Sequence, residues 1–427
     1  MSKYKEIMGR VNYGLFLIVV ALLPFPQAVL RPACVLWIIA WILEGRWTNL
    51  ITKHKSQIAN YKSALPFLLF GVWYGWKMLS GLWAADHDAW AWQMERYMTF
   101  GLLIPVGIWG VNKHYDWRQA GRVLAVSCVL AIPAYTVWMA VLYHHPEIVA
   151  HLPLSDVWTQ HSDRWIFFSD NISHFKHRLF LCSVEIAGAV AAIQVWRKEK
   201  WKWMTAVPVM LSSILLTGSR QAVISMVGVA VVWGMYHLVK RHHRWYSIGV
   251  LVMGVVAAAS MLSFHPRMQQ FDYLRDITAM REVSYYHDIR YNLWGFALQE
   301  PEDYIAYGLG AGQSKEYLAQ RFKERQFSHY ALMRYHAHNQ YLEELMEIGI
   351  AGMIFFIIAW LSIPLCARKH GRETALLFTS LFILNMCTDC MFGKFDGIAL
   401  WAVGMIVILL QSDAEGEEKS AGNTQAH

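Results

Sequence analysis

Twelve apolar stretches, most of them separated by short polar loops, set what this 427-residue chain can fold into. They lie near 13–30, 33–43, 64–81, 91–110, 123–143, 179–196, 204–217, 221–239, 246–264, 347–366, 374–391 and 397–411, the second being the shortest. A helix needs roughly 20 predominantly apolar residues to cross a bilayer. In hydrocarbon, a segment must satisfy its own backbone polar groups, which a helix does. Composition agrees: 16% of the residues are charged, against about 25% in soluble globular proteins. The sequence predicts an all-α integral membrane protein with about 12 transmembrane helices.

The basic residues orient it. With the N-terminus inside and the spans alternating, inner segments hold 21 Lys and Arg and outer segments 15, nine of them in one long loop at 265–337. Loops longer than about 60 residues escape the positive-inside rule. The short loops therefore divide 21 to six, and the last two of the 38 basic residues, Lys77 and Arg96, lie within spans. Both termini are expected in the cytoplasm and the long loop outside. The net charge of +7 is spread over these loops, so topology accounts for it and no nucleic-acid partner is expected. The 21 Trp and 20 Tyr fit aromatic belts at two interfaces. Pro24, Phe25 and Pro26 follow the first apolar stretch in place of a cleavage site, so that stretch is expected to be retained. The cysteines all fall in apolar stretches and read as small buried hydrophobes. Cys387 and Cys390 form a CxxC with no second pair to complete a zinc site.

Four regions follow: 1–264 with spans one to nine and an external loop at 144–178; 265–337, the large external loop before span ten; 338–411 with spans ten to twelve; and 412–427, a cytoplasmic tail whose acidic, small-residue composition predicts disorder. The halves share no repeat, which weighs against a transporter built from inverted repeats.

The stretch HAHNQYLEELMEIGIAG at 336–352 holds the strongest catalytic candidate. Asn339 is placed to cap the helix that follows. The positive end of that helix disfavours imidazolium at His338, and a neutral imidazole can accept a hydroxyl proton. His336, two residues away, competes for the role, and a loop histidine without one is the plain alternative. Arg220, in TGSRQ, ends a span on the outer side, where positive charge is disfavoured. It either snorkels to the interface or binds an anion, for which its planar fork suits phosphate. Arg290 reads by itself as one of several loop arginines. GLGAGQ at 308–313 lacks the strand and the Lys-Ser/Thr of a nucleotide loop, so a tight turn is expected. Lys77, inside the third span, either snorkels or faces a cavity as a phosphate contact. Glu95 and Arg96 are expected as a buried structural pair. Asp389 is an intramembrane acid, hence a functional candidate, with Lys394 as a possible partner. Asp86 and Asp88 either bind a divalent metal or form an exposed turn.

In order and spacing, these features resemble the O-antigen ligase family, within the wider O-antigen polymerase and ligase superfamily. The resemblance covers most of the chain. It rests on the twelve spans, the large loop before span ten, GSR at 218–220, Arg290 followed by Pro301 and by Gly308, Gly310 and Gly312, HNxYLxxLxxxGxxG at 338–352, and LSGLWAAD at 79–86. It implies a multi-pass protein of a bacterial inner membrane with its active site facing the periplasm. The implied reaction moves a polysaccharide from undecaprenyl diphosphate to lipid A-core, inverting, with no metal, nucleotide or other cofactor. Arg220 and Arg290 would hold the donor diphosphate, and His338 would be the general base on the acceptor hydroxyl. Asp389 matches a family acid. Lys77, Asn339 and Asp389 join the two arginines as substrate-binding candidates, with membrane lipids as surroundings. The alternatives are a glycan polymerase, an O-oligosaccharyltransferase acting on protein, and a non-enzymatic polyprenyl-glycan flippase. A flippase predicts charges along the whole membrane path, whereas the informative residues here gather at the outer face.

Overall fold

A computed structural model describes residues 2–45, 61–145, 175–199, 205–240 and 289–424, with isolated positions at 172 and within 248–256. Among these residues the chain is helical, without a strand. The helices are α1 (Ser2–Leu22), α2 (Gln27–Glu44), α3 (Tyr61–Leu79), α4 (His87–Trp109), α5 (Trp117–His144), α6 (Arg178–Glu199), α7 (Ala206–Leu216), α8 (Arg220–Val239), α9 (Ile289–Gln299), α10 (Ser314–Glu324), α11 (Ser328–Met333), α12 (Gln340–Cys366), α13 (Lys369–Met386) and α14 (Phe395–Thr424).

Six of them, α2, α5, α6, α8, α12 and α14, are long and apolar enough to cross a membrane. Helices α1, α3, α4 and α13 have 18 residues or more, but their charged ends, and the Tyr and Trp of α3, make them less apolar. The expected span at 246–264, most of the loop at 144–178, and residues 265–288 of the large loop lie outside the described residues. The expected tail differs from its prediction: α14 continues to Thr424, through an AEGEEK run whose Ala, Glu and Lys are good helix formers.

Helix starts follow from local chemistry. Asp86 begins α4 by accepting from the N–H of Asp88 and Ala89, Asp116 begins α5 by accepting from Arg118, and Ser219 begins α8 by accepting from Ala222. Each satisfies a donor that a helix N-terminus leaves without an intrahelical partner.

The chain forms two compact units, one of residues 1–40 and 114–275 and the other of 41–113 and 276–427. In the first, Trp37 donates to the hydroxyl of Tyr115 (3.0 Å), which donates to Asn12 (3.1 Å). A polar seam lies among α5, α6 and α7: Ser213 donates to the buried carboxylate of Glu185 (2.6 Å), and Cys182 meets the hydroxyl of Thr217 at 3.2 Å. Thr217 leads directly into Gly218, Ser219 and Arg220.

In the second unit, α3 packs along α12, and α12, α13 and α14 follow one another in contact. Its centre is aromatic. Trp401 stacks on Phe100 at 4.3 Å between centroids, and Phe70, Trp73, Phe356, Trp360 and Phe392 surround them. Trp73 and Trp401 have no solvent exposure. Part of the aromatic content expected at membrane interfaces is therefore core, where ring area and edge-to-face contacts stabilise packing. The described part of the large loop, 289–337, is a helical cap with its own core of Leu293, Phe296, Leu318 and Phe322, which reaches Met346 of α12.

A broken helix ties that cap down. Gly349 lies inside α12 with φ +64°, which interrupts the intrahelical ladder. The freed carbonyls of Met346 and Glu347 accept from Leu309 (2.8 Å) and Gly310 (2.9 Å), and the N–H of Ile350 donates to Ile305 (2.8 Å). Backbone meets backbone there: a Cβ on Gly308 would stand 2.3 Å from the Glu347 carbonyl oxygen, and one on Gly349 would stand 2.6 Å from that of Ala306. The GLGAG stretch is the tight turn its composition predicts, and it also docks the cap on the break.

Candidate active site

The segment 336–339 runs from the cap into α12, and its middle residue is fixed from both sides. The N–H of Ala337 donates to Glu343 (2.8 Å), and its carbonyl accepts from the Trp294 indole (2.9 Å). His338 follows with φ +48°, a left-handed conformation that non-glycine residues seldom adopt. Strain of this kind collects where the surroundings over-determine a functional residue. Asn339 then caps α12, its side-chain oxygen accepting from Tyr341 (3.0 Å) and Leu342 (3.2 Å). The expected cap is found, and that oxygen is committed to it rather than to a ligand.

The two histidine rings lie 4.1 Å apart and share one carboxylate. Asp389 stands in the turn after α13 and is 3% exposed. Its Oδ1 is 3.7 Å from Nδ1 of His338 and 4.0 Å from Nε2 of His336. Arg290, at the start of α9, donates through Nε to the carbonyl of Thr388 (3.1 Å), one residue before Asp389. His338, Asp389 and Arg290, read from three distant parts of the sequence, are thus brought together.

The histidines differ in what they can offer. The N–H of His338 donates to Nδ1 of His336 (3.1 Å), which leaves the proton of a neutral His336 on Nε2, towards Asp389. Burial pushes His336 down to about 3, and Lys315 and Lys394 push the same way against Asp389. His336 is therefore neutral near pH 7, holds an added proton poorly, and has Nδ1 occupied. His338 presents Nδ1 to the carboxylate, and its Nε2 is then the position for an incoming proton. Two groups sharing His336 have the spacing of metal ligands: His336, His338 and Asp389, and His336, Glu343 and Cys390. In both groups the lone pair of His336, on Nδ1, already accepts from the His338 N–H, so a cation there would have to displace that hydrogen bond or shift the ring's proton.

Lys77 has another environment than a phosphate contact requires. It is fully buried, with Nζ 2.9 Å from Glu344 and 2.7 Å from Glu347, and Trp73 also donates to Glu344 (3.0 Å). Ser314 donates to Glu343 (2.7 Å), and Gly312 donates through its backbone to Glu347 (2.9 Å). These three glutamates of α12 anchor α3, the glycine turn and the histidine segment. Three acids within five residues of an apolar helix are the sequence signal of such a cluster.

Arg220 opens α8 in the first unit, after Ser219 as cap and Gly218 at φ +62°. Asp86 is a helix cap, as an exposed turn predicts. Glu95 and Arg96 are not the expected buried pair: both are exposed, and the Arg96 guanidinium lies over the Trp92 ring at 4.2 Å. Neighbouring helix residues point to different faces, so such a pair was sterically unfavourable.

No curated protein matches the chain. The model of the O-antigen ligase family matches residues 205–357, a stretch that contains Arg220, Arg290 and His338 and stops short of Asp389. The family consists of glycosyltransferase-like ligases and polymerases that work on lipid-linked glycans in a membrane. Over residues 205–357, about a third of its length, the chain is thus similar to the O-antigen ligase family, and it has six helices apolar enough to span a bilayer among its described residues.

Proposed function

We propose that this protein is an O-antigen ligase of a bacterial inner membrane, which moves a polysaccharide from undecaprenyl diphosphate to lipid A-core at its periplasmic face. The observation that carries the reading is the shared position of His338, Asp389 and Arg290. The acceptor hydroxyl attacks the anomeric carbon of the donor sugar, and the bond to the diphosphate oxygen breaks. His338 takes the hydroxyl proton at Nε2. Asp389 orients the ring through Nδ1 and stabilises the imidazolium that forms. Arg290 offsets the charge that develops on the departing diphosphate, and Arg220 is the further candidate for that role by the family resemblance. A single displacement inverts the anomeric centre. The donor brings its own leaving group, so the scheme needs neither nucleotide nor metal. His338 is preferred to His336 as base because Nδ1 of His336 already accepts from the backbone and burial keeps its ring from holding a proton. Lys77 is a positioning residue in this scheme, holding α3 to α12 beneath the histidine segment.

The test is a cellular one. His338→Ala, expressed to the same membrane level, should remove long-chain polysaccharide from lipopolysaccharide on a gel while lipid-linked polymer accumulates. Normally capped lipopolysaccharide would overturn the reading. A core capped by single repeat units would point to a polymerase instead.

A further inference from the structure

We propose that His336, Glu343 and Cys390 form a site for a thiophilic divalent cation of the zinc class, and that a cation bound there inhibits transfer by releasing the backbone of His338. The site rests on geometry; the inhibition rests on the transferase reading above. The CxxC at 387–390 has no second pair in the sequence, but the fold brings other donors to one of its cysteines. Cys390, in the turn after α13, is buried. Its sulfur, a carboxylate oxygen of Glu343 in the first turn of α12, and a ring nitrogen of His336 at the end of the cap all lie within 4.8 Å of one another. Zinc bonds of about 2.0–2.3 Å in a tetrahedral site hold donors roughly 3.5 Å apart, so side-chain shifts of about 1 Å close this one. Thiolate, imidazole and carboxylate are all zinc ligands, and three of them leave the fourth position to water. Cys387 differs: it is exposed, and its thiol donates to the carbonyl of Ile383 one turn back (3.3 Å).

Each donor has a definite cost. Glu343 accepts from Ser314 at one oxygen and from the Ala337 N–H at the other, and each carboxylate oxygen keeps a second lone pair. Cys390 loses its thiol proton to solvent as the metal–sulfur bond forms. Burial, then the charges of Glu343 and Asp389, raise that thiol, while the backbone N–H of Asn339 favours the thiolate. The carboxylates that oppose a lone thiolate attract a metal ion. Lys315 and Lys394 act against a cation at His336, and the new thiolate charge offsets them. The neutral ring of His336 carries one proton and one lone pair. A metal at Nδ1 displaces the His338 N–H. A metal at Nε2 moves the ring proton to Nδ1, which can then no longer accept. Either way the His338 N–H loses its acceptor at 3.1 Å, and the left-handed conformation at φ +48° loses a support.

The experiment titrates EDTA-treated full-length protein in detergent micelles with Co²⁺. A thiolate-to-cobalt charge-transfer absorption should appear, and Zn²⁺ should abolish it by displacing the cobalt. Cys390→Ala should lack the absorption, as should Cys390→Ser, which keeps the side chain's size if the smaller variant fails to fold. Cys387→Ala should retain it. His336→Gln should weaken Co²⁺ binding at least about tenfold. No charge-transfer absorption, or one that both Cys390 variants keep, would overturn the site. In proteoliposomes with lipid-linked donor and lipid A-core, saturating Zn²⁺ should lower the transfer rate at least about tenfold, and EDTA should restore it. Cys390→Ser should transfer equally with and without Zn²⁺. An unchanged rate with zinc bound, or equal inhibition of Cys390→Ser, would overturn the inhibition. If the unaltered protein transfers nothing even in EDTA, the transferase reading fails, and the cobalt spectrum still decides the site.

Discussion

Lys77→Met should destabilise the protein by about 3–5 kcal/mol, because it strips the cation from a fully buried cluster and leaves carboxylates with no counter-charge. Lys77 lies between Glu344 and Glu347, with all three side chains at most 1% exposed. The loss can be read from unfolding of purified protein in mixed micelles, followed by tryptophan fluorescence. Removing the opposing charges in the same chain, as Lys77→Met with Glu344→Gln and Glu347→Gln, should recover much of it, since replacing a whole buried ion cluster is often near neutral. If Lys77→Met alone lies within about 1 kcal/mol of the native protein, the cluster is not the anchor described here.

The second large effect is on rate. In reconstituted transfer, His338→Ala should lower kcat by about 10²–10⁴, the usual worth of a positioned general base. His336→Gln should cost less than about tenfold, because its Nδ1 is already occupied and its contribution is to support the backbone of His338. Comparable losses in both variants would return His336 to candidacy. Acidification separates the two roles as well. His336 is held down to about 3 in the fold, against about 6.5 in an unfolded chain. The unfolded chain therefore binds a proton first, and this residue's contribution to stability falls as pH drops from about 6.5 towards 3.

What the sequence made legible was local. The cap at Asn339 follows from a short polar side chain directly before a helical run, and the turn at 308–312 from its glycines. His338 stood out because a basic side chain at a helix start is conspicuous by itself. Long-range pairing was not legible. Lys77 and Glu344 are 267 residues apart, and nothing in WYGWKMLSGLW distinguishes an ammonium facing a ligand from one facing two glutamates. Asp389 could be singled out as an intramembrane acid, but its closeness to the histidines depends on how α12 and α13 pack. Hydropathy located the long helices well, six of them apolar enough to span among the described residues, but it could not tell that Trp73 of α3 fills the core.

The central claim is that Asp389 acts through His338. A double-mutant cycle on reconstituted transfer tests it most directly. Asp389→Asn alone should lower kcat by about 10–100-fold, as loss of a carboxylate that orients an imidazole does in comparable pairs. In the His338→Ala background, the same change should do almost nothing, because residues that work as one unit are not additive. Losses that multiply, each variant keeping its full effect in the presence of the other, would contradict it.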